Sequence, residues 1–240
     1  MLTIEKIPTT VLFDLDGTLL PMDAKMFERA YFQGLCRRLP EIEPDRLIAL
    51  IWKGTAAMIA NDGRYTNREV FAKVFSELSG IDYFSHENVF LDYYATDFQK
   101  LASVCRPTTL SKTIVETLLR HGHRIAIATN PIFPQIATYS RLRWLGLDPT
   151  AFELVTTFEN CHFAKPNLDY YREVLANIKT EPSATLHIGN DVEEDGCVSQ
   201  LGMRVILITD CLLNPRMKPL ESFETATLAE LAAFCSDEAL

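Results

Sequence analysis

Two carboxylates spaced two residues apart, Asp14 and Asp16, are the residues of this sequence that point most directly to chemistry. They come at the end of the apolar run 11–13 and are followed by Gly17 and Thr18. Such a run predicts a buried strand of a parallel sheet, and ligands bind beyond the carboxyl ends of these strands. Gly17 lets the backbone turn sharply there and brings amide groups close to a ligand. The structural alternative is an Asp-rich turn that caps the next helix.

Polar residues also follow the other predicted strands. Thr129 and Asn130 end the apolar run 125–128, Lys165 lies in the loop after a third short strand, and an acidic segment, 190–195, follows a fourth strand. Taken singly, these fragments are explained as a helix cap, a solvated loop and an acidic helix N-terminus. Because right-handed crossovers bring the carboxyl ends of parallel strands to one edge of the sheet, we expect the fragments to meet there.

From Pro107 onward the pattern alternates between helix and strand, which predicts an α/β fold with a doubly wound parallel sheet. Pro107 suits the first residue of a helix that ends at Gly122. The predicted strands are 11–13, 125–128, 154–156, 186–188 and 205–208, and the further helices are 133–145, 168–178 and one that ends at Gly202.

Residues 22–105 have a helical pattern without strand periodicity. Four amphipathic helices between one strand and the next predict a small bundle, so we interpret 22–105 as an inserted helical cap domain and 1–21 with 106–240 as the core. Asp23 is predicted to cap the first helix, and the second helix is predicted over 45–59. A capping box of Thr66 and Glu69 precedes the third helix, which ends at Gly80, and the fourth helix is predicted over 86–104.

The composition argues against several classes of function. The 240 residues are 48% hydrophobic and carry a formal net charge of -9, which opposes binding to nucleic acid or to an anionic membrane. No stretch approaches the roughly 20 apolar residues of a membrane span, and the N-terminal segment lacks the pattern of a secretory signal. The six cysteines are scattered, which is typical of reduced core residues. We therefore expect a cytoplasmic protein without a membrane or nucleic-acid partner, of an oligomeric state that the sequence leaves open.

Taken together and in this order, the polar fragments resemble the four motifs of the haloacid dehalogenase-like (HAD) hydrolase superfamily. The first motif matches at 14–18, the second at Thr129, the third at Lys165 and the fourth at 190–195. The helical insertion after the first motif resembles a cap type of that superfamily. One position departs from the pattern, because Asn190 stands where the fourth motif usually has an aspartate directly after its glycine.

The resemblance implies a role for each matching residue. Asp14 is the expected nucleophile and Asp16 the acid and base, while Thr129 and Lys165 hold the phosphoryl group. A Mg²⁺ ion is expected between Asp14, the backbone carbonyl of Asp16 and the fourth motif. Asn190 and Asp191 compete as metal ligands from the fourth motif. Charge favours Asp191, because hard cations prefer carboxylates. The remaining expected residues are Asn190, Asp191 and Asp195 at the metal, the last as an indirect partner, and Leu15, Gly17, Thr18 and Asn130 at the substrate.

The implied activity is Mg²⁺-dependent hydrolysis of a small phosphorylated metabolite through an aspartyl-phosphate. Family members that cleave carbon–halogen bonds or phosphonates lack the second aspartate of the first motif, so Asp16 favours phosphate esters. A phosphomutase that uses the same aspartate pair, or a non-catalytic phosphate-binding module, remains open. The cap is expected to act as a mobile lid that supplies specificity. Within it, Trp52 is a candidate for either core or substrate contact, Lys53 and Arg64 are expected to be mainly solvated, and His187 is expected to be a core side chain of its strand.

Overall fold

The computed structural model describes residues 7–236. The predicted core range therefore includes two short ends, 1–6 and 237–240, that lie outside the described residues. The central element is a parallel five-stranded sheet of order β2-β1-β3-β4-β5. Its strands are β1 Thr10–Phe13, β2 Arg124–Ile127, β3 Thr185–Gly189, β4 Arg204–Ile208 and β5 Glu224–Ala226.

Strands β1 and β3 are buried throughout, and β2 and β4 are buried after their first residue, as their apolar sequences predict. Because successive side chains point to opposite faces, Val11 and Phe13 join one apolar cluster while Leu12 joins the other. The register pairs Phe13 with both Ile127 and Ile188. The carboxyl ends of β2, β1 and β3 therefore lie side by side, which brings the segments that follow them to one edge of the sheet.

Helices cover both faces of the sheet. On one face, helix α5 (Thr109–Arg120) contacts helix α8 (Leu228–Ser236). On the other face, helix α7 (Leu168–Asn177) contacts the 3₁₀ helix Gly196–Leu201. The predicted doubly wound α/β fold is thereby confirmed. The bounds are α5 Thr109–Arg120, α6 Gln135–Trp144, α7 Leu168–Asn177, α8 Leu228–Ser236 and the 3₁₀ helices Pro149–Ala151, Pro182–Ala184 and Gly196–Leu201.

The segment between β1 and α5 is helical throughout. Asp23 accepts a hydrogen bond from Met26 N, and Thr66 and Glu69 form the predicted capping box. Gly80 ends its helix with a φ of 78°, a left-handed conformation that favours glycine. The helices are α1 Ala24–Arg38, α2 Pro44–Ile59, α3 Asn67–Ser79 and α4 Tyr83–Ala95, followed by the 3₁₀ helix Asp97–Val104.

Both connections of this helical insertion to the sheet run side by side. Met22 forms an antiparallel bridge with Cys105, and Arg106 N donates to Pro21 O at 2.8 Å. Ser111 Oγ on α5 donates to Leu19 O at 2.5 Å. The chain therefore leaves and re-enters the α/β layer through one paired segment.

Two of the predicted helices have different bounds in the structure. Helix α5 begins at Thr109 rather than at Pro107, because the Thr108 hydroxyl accepts a hydrogen bond from Leu110 N and caps the helix. The helix predicted over 86–104 is two elements that meet at Thr96. The Thr96 hydroxyl donates to Asp92 O at 2.6 Å, and this local bond competes with continuation of the helix.

The predicted strand 154–156 is also wrong in extent. Val155 makes one isolated bridge with Ile127, and Thr156 then turns so that its hydroxyl donates to Thr129 O. The helix predicted to end at Gly202 does end there but is a 3₁₀ helix, and β5 with α8 was not predicted. Among the described residues, the six cysteines are free and no helix is long and apolar enough to cross a membrane.

Candidate active site

Asp14 lies at the carboxyl end of β1 with 7% of its surface exposed. Its backbone N donates to Ile188 O at 2.8 Å, which extends the pairing with β3 by one residue. Lys165 Nζ lies 2.9 Å from Asp14 Oδ1, and Thr18 Oγ1 lies 3.1 Å from Asp14 Oδ2. Lys165 therefore holds one oxygen of Asp14, and the Thr18 hydroxyl lies within hydrogen-bond distance of the other.

The turn after β1 is as tight as the sequence predicts. Gly17 has a φ of 84°, and a Cβ there would overlap the side chain of Asn190. The Leu15 carbonyl accepts hydrogen bonds from Thr18 N and Leu20 N at 3.2 and 2.8 Å, so this turn holds its own backbone. Gly17 is thus required for the close approach of two loops as well as for the turn.

Lys165 is fully buried and makes a second ion pair, with Asp195 Oδ1 at 2.6 Å. His187 Nε2 lies 2.9 Å from the same oxygen. The other oxygen, Asp195 Oδ2, accepts from the backbone amides of Asn190 and Asp191, each at 2.9 Å. Since both oxygens already carry these hydrogen bonds, Asp195 positions Lys165 and the loop after β3, which fits the role of an indirect partner of a metal.

The first two residues of that loop differ in direction. Asn190 Oδ1 lies 2.9 Å from the hydroxyl of Thr18, which can donate its one proton either to this oxygen or to Asp14. Asp191 Oδ1 instead accepts from the backbone amides of Glu193 and Glu194 at 2.7 and 2.9 Å. The amide oxygen of Asn190 therefore faces Asp14, whereas one oxygen of Asp191 closes a local turn.

Asp16 is half-buried and is bound by a residue that the sequence did not single out. Arg141 on α6 is fully buried and forms an ion pair with Asp16 Oδ2 through Nη1. The guanidinium also donates to Ala137 O and Thr138 Oγ1, at 3.3 and 3.1 Å. Asp16 Oδ1 is buried without a hydrogen-bond partner among the described residues. One oxygen of Asp16 is therefore held while the other is available.

Thr129 and Asn130 follow β2 as predicted. The Thr129 carbonyl accepts from the hydroxyls of Thr156 and Tyr170 at 2.7 and 2.8 Å, so buried groups fix its backbone. Asn130 Nδ2 contacts the Glu194 carboxylate at 3.1 and 3.2 Å. These contacts place the second and fourth motifs against each other.

A polar cavity of about 490 Å³ joins these segments. Its lining brings most of the predicted site residues together, and it adds Glu194, which the sequence analysis did not name. Lys165 lies behind Asp14 rather than on the cavity wall, and Arg64 is exposed and paired with Asp62. The predicted residues that line the cavity are Asp14, Asp16, Gly17, Thr129, Asn130, Asn190, Asp191 and Asp195.

The cavity combines hard oxygen donors that suit a small divalent cation. The Asp14 carboxylate and Asn190 Oδ1 flank the same Thr18 hydroxyl, and the Glu194 and Asp191 carboxylates line the same space. Within 7–236, no cluster of three or more His, Cys, Asp or Glu side chains has the spacing of a metal site. Mg²⁺ is usually held by one or two carboxylates and several waters, so this donor set fits it without such a cluster.

Burial and nearby charges shift the acid groups of this site. Burial raises the pKa of Asp14, with the Lys165 ammonium opposing and Asp195 adding to the rise. Burial also raises the pKa of Asp16, against the opposing charges of Arg141 and Lys165. Burial alone would raise the pKa of Asp195 as well, but Lys165 and His187 hold it well below its usual range. The pKa of Asp16 is thus raised, while Asp195 stays ionised.

Burial lowers the pKa of His187, although its hydrogen bond to Asp195 opposes this shift. A neutral imidazole has one N–H, and the ionised Asp195 is an acceptor only, so Nε2 donates to it. His187 is therefore a core side chain, as expected, that also positions the partner of Lys165.

A model of the haloacid dehalogenase-like hydrolase family matches residues 11–208. The chain belongs to this family. Comparison with curated proteins finds no match.

Solved structures of HAD proteins share the fold over nearly the whole chain. A HAD phosphatase from Thermococcus onnurineus is 19% identical with a TM-score of 0.59, covering 97% of this chain and 100% of its own. The HAD-hydrolase YfnB from Bacillus subtilis, described as bound to magnesium with an interdomain movement, is 24% identical with a TM-score of 0.58, covering 96% and 99%. L-2-haloacid dehalogenase from Xanthobacter autotrophicus is 16% identical with a TM-score of 0.57, covering 97% and 100%.

The sequence analysis did not identify Arg141 as a site residue. It lies on α6, whose buried face also carries Ala137 and Thr138. An arginine three and four residues after two buried positions of a helix shares their face, so helical periodicity alone could have marked it. Its pairing with Asp16 depends on how α6 packs against the turn after β1, which no local pattern contains.

Proposed function

We propose that this chain is a Mg²⁺-dependent phosphomonoester hydrolase that acts on a small phosphorylated substrate. The observation that supports this most is the pair Asp14 and Asp16 on one cavity, with Lys165 fixed against the first and one free oxygen on the second. A carboxylate nucleophile and a separate carboxyl acid are the two groups that ester hydrolysis through a covalent intermediate needs.

In the first step, an Asp14 carboxylate oxygen attacks phosphorus and a new O–P bond forms as the ester P–O bond breaks. Asp16 donates its proton to the leaving alkoxide oxygen. Burial favours the protonated form of Asp16, and Oδ1 is the oxygen that no described residue occupies. The leaving group departs as a neutral alcohol, and the phosphoryl group stays on Asp14.

In the second step, water attacks the aspartyl-phosphate and Asp16 takes the proton of that water. The O–P bond to Asp14 breaks, and inorganic phosphate leaves with the nucleophile restored. Arg141 bound to Oδ2 keeps the Asp16 side chain in one orientation through both proton transfers. The same group then serves as acid and as base.

Repulsion is the main obstacle, since a phosphate dianion must approach several carboxylates. Two like charges at 4 Å repel by about 4 kcal/mol at an effective dielectric of 20. Lys165 offsets part of this repulsion, and the backbone amide of Leu15 with Thr129 and Asn130 would bind phosphoryl oxygens. The Gly17 amide does not contribute as expected, because it donates to Leu20 O at 2.8 Å. When bound, Mg²⁺ would neutralise further negative charge on the phosphoryl group. Asp14, the Asp16 carbonyl and Asn190 would hold it, with Asp191 as the competing ligand.

Two other functions remain as alternatives. HAD dehalogenases are among the structural neighbours, but their reaction does not need the acid and base role expected of Asp16. In this chain the Asp16 carboxylate is bound by the buried Arg141. A phosphomutase would return the phosphoryl group to a bound sugar, and the apolar cavity described below offers few partners for sugar hydroxyls.

The test is phosphate release from phosphate monoesters by the purified full chain, with Mg²⁺ and after chelation. We expect activity that needs Mg²⁺ and is abolished in Asp14→Asn, while Asp16→Asn loses most turnover on alkyl esters. An Asp169→Asn variant is the matched control, because Asp169 is exposed on α7 and pairs with Arg172 at 2.7 Å. Robust phosphatase activity in Asp14→Asn would overturn the proposal.

A further inference from the structure

The helical insertion encloses a second cavity, of about 230 Å³. Its wall is largely aromatic and comes from α1, α2, α3 and α4, with Phe133 and Phe158 from the α/β core. An apolar cavity of about 150 Å³ is enough to hold benzene. The space is therefore large enough for a phenyl ring or a branched alkyl group.

Few polar side chains lie on this wall, and two tyrosine hydroxyls, one from α1 and one from α4, bind each other. The Tyr31 and Tyr94 hydroxyls lie 2.9 Å apart and hydrogen-bond each other. Within 7–236, no lysine or arginine lines the cavity, and its charged residues are Asp16 and Glu28. Arg141 lies over the Phe133 ring at 4.6 Å but is outside the wall and neutralised by Asp16. An anionic ligand would find acidic groups and no unpaired cation here.

The aromatic cavity adjoins the catalytic one. Asp16, Met22, Ala24, Ile132 and Phe133 line both spaces. Asp16 stands at the junction, which is where the acid that protonates the leaving oxygen must stand. A phosphoryl group held at Asp14 therefore points its ester oxygen toward Asp16 and the rest of the leaving group toward the aromatic wall.

From this arrangement we infer that the substrate is the phosphomonoester of an uncharged, largely apolar alcohol whose hydrocarbon part fills the aromatic cavity. This inference rests on the proposed phosphatase function. Burial of the hydrocarbon part is favourable, whereas a carboxylate or a second phosphate would be desolvated beside Asp16 and Glu28 without a partner. Sugar hydroxyls would meet mainly ring carbons and few hydrogen-bond partners.

The first experiment compares three esters of primary alcohols, whose leaving oxygens have similar basicity. They are 2-phenylethyl phosphate as the apolar ester, glucose 6-phosphate as the neutral polar ester and 3-phosphoglycerate as the anionic ester. We expect kcat/KM for the first to exceed both others by at least about tenfold, the size of effect that even one methylene gives in a hydrophobic pocket.

The second experiment changes the cavity itself. Thr55 on α2 is buried on its wall, and Thr55→Phe would fill part of the space. Ala56→Phe is the matched control, because the neighbouring residue is exposed and outside the wall. We expect Thr55→Phe to lower kcat/KM for 2-phenylethyl phosphate at least about tenfold, and to lower its ratio to glucose 6-phosphate, with Ala56→Phe close to wild type.

Trp52→Ala keeps the test valid if Thr55→Phe does not fold. Trp52 is 47% exposed, lies on the wall and packs against Phe32, so its loss should be tolerated while it removes an apolar contact. A lower ratio of apolar to polar ester in this variant supports the inference.

The outcomes separate this inference from the proposed function. Faster turnover of 3-phosphoglycerate or glucose 6-phosphate by the wild type would overturn the apolar substrate and leave the phosphatase intact. An unchanged ratio of kcat/KM for 2-phenylethyl phosphate to that for glucose 6-phosphate in both Thr55→Phe and Trp52→Ala would also overturn the apolar substrate. If none of the three esters is hydrolysed with Mg²⁺ present, the phosphatase function itself fails.

Discussion

At the level of single residues, the ion pair of Arg141 with Asp16 affects the pKa of the proposed acid. A guanidinium favours the charged form of a neighbouring carboxyl, while burial favours the neutral form, and the net pKa of Asp16 is raised. Asp16 must be protonated to serve the leaving group, so activity should fall as pH rises through its pKa. Burial alone would raise the pKa of Asp16 further, and the charge of Arg141 limits this rise.

We predict that Arg141→Met moves the alkaline limb of the pH profile of kcat/KM upward by about 1–3 pH units, because the opposing charge is gone. Arg141→Lys should move it less, since a positive charge remains. Arg143→Met is the control, because Arg143 is exposed on the same helix and lies over the Tyr139 ring at 5.8 Å. Loss of one partner of a buried pair should also destabilise Arg141→Met by about 3 kcal/mol. A folded Arg141→Met with an unmoved limb would show that Arg141 does not tune Asp16.

The neighbours Asn190 and Asp191 give a second prediction for single residues. Asn190 Oδ1 faces Asp14 across the Thr18 hydroxyl, whereas Asp191 Oδ1 caps backbone amides. We predict that Asn190→Asp lowers the Mg²⁺ concentration for half-maximal activity, by roughly tenfold, because a carboxylate is the stronger ligand. Asn190→Ala should raise it, and Asp191→Ala should change it far less. A larger rise in Asp191→Ala than in Asn190→Ala would assign the ligand to Asp191.

The sequence predicts site residues that belong to short contiguous motifs, because each motif pairs a strand end with its turn. Asp14, Thr129 and Lys165 are of this kind. Arg141 and Glu194 are not, since one acts from the middle of a helix and the other lies within an acidic run that local rules assign to a helix terminus.

At the level of elements, Asn67 at the start of α3 ties the insertion to the site loops. Its side chain is fully buried and donates to Pro131 O and Phe163 O at 3.2 and 3.0 Å, and it accepts from Asn61 Nδ2 at 2.9 Å. Pro131 follows Asn130, and Phe163 precedes Lys165 by two residues. One amide therefore connects two motif-bearing loops to the helical insertion.

We predict that Asn67→Leu lowers the free energy of unfolding by about 3 kcal/mol, because the Pro131 and Phe163 carbonyls lose their donor at about 1–3 kcal/mol each. Urea unfolding followed by circular dichroism would measure this. Asn88→Leu on α4 is the matched control, since Asn88 is exposed, and it should stay within about 0.5 kcal/mol of wild type. Equal midpoints for both variants would contradict a tie between α3 and the loops.

Elements with strong caps and periodicity were predictable, such as α3 with its capping box and β1 with its apolar run. The others depended on tertiary context. Residues 154–156 have strand character, yet the hydroxyl of Thr156 bonds to Thr129 O and the chain makes one bridge. The end of α4 at Thr96 likewise reflects a local hydroxyl bond that residue propensities do not contain.

At the level of the whole molecule, one apolar cluster runs from the face of the sheet that carries Phe13 into the helical insertion that carries Phe98. Contacts across this boundary include Trp144 on α6, whose Nε1 donates to Gln99 Oε1 at 3.1 Å and whose ring lies 5.3 Å from that of Phe98. The expected mobile lid must break such contacts when it opens. The fluorescence of Trp144 can therefore report whether the contacts between the insertion and the α/β core are made.

We predict that the insertion opens in the free protein and closes when the phosphoryl site is filled. In Trp52→Phe, which leaves Trp144 as the single tryptophan, Mg²⁺ with beryllium fluoride should shift the emission to shorter wavelength. The reason is that closure removes water from around the indole. Trp144→Phe is the matched control, because Trp52 contacts Phe32 within the insertion and a rigid-body swing leaves that contact intact. Unchanged emission in Trp52→Phe, together with an unchanged radius of gyration in solution scattering, would show that the insertion is a fixed part of one core.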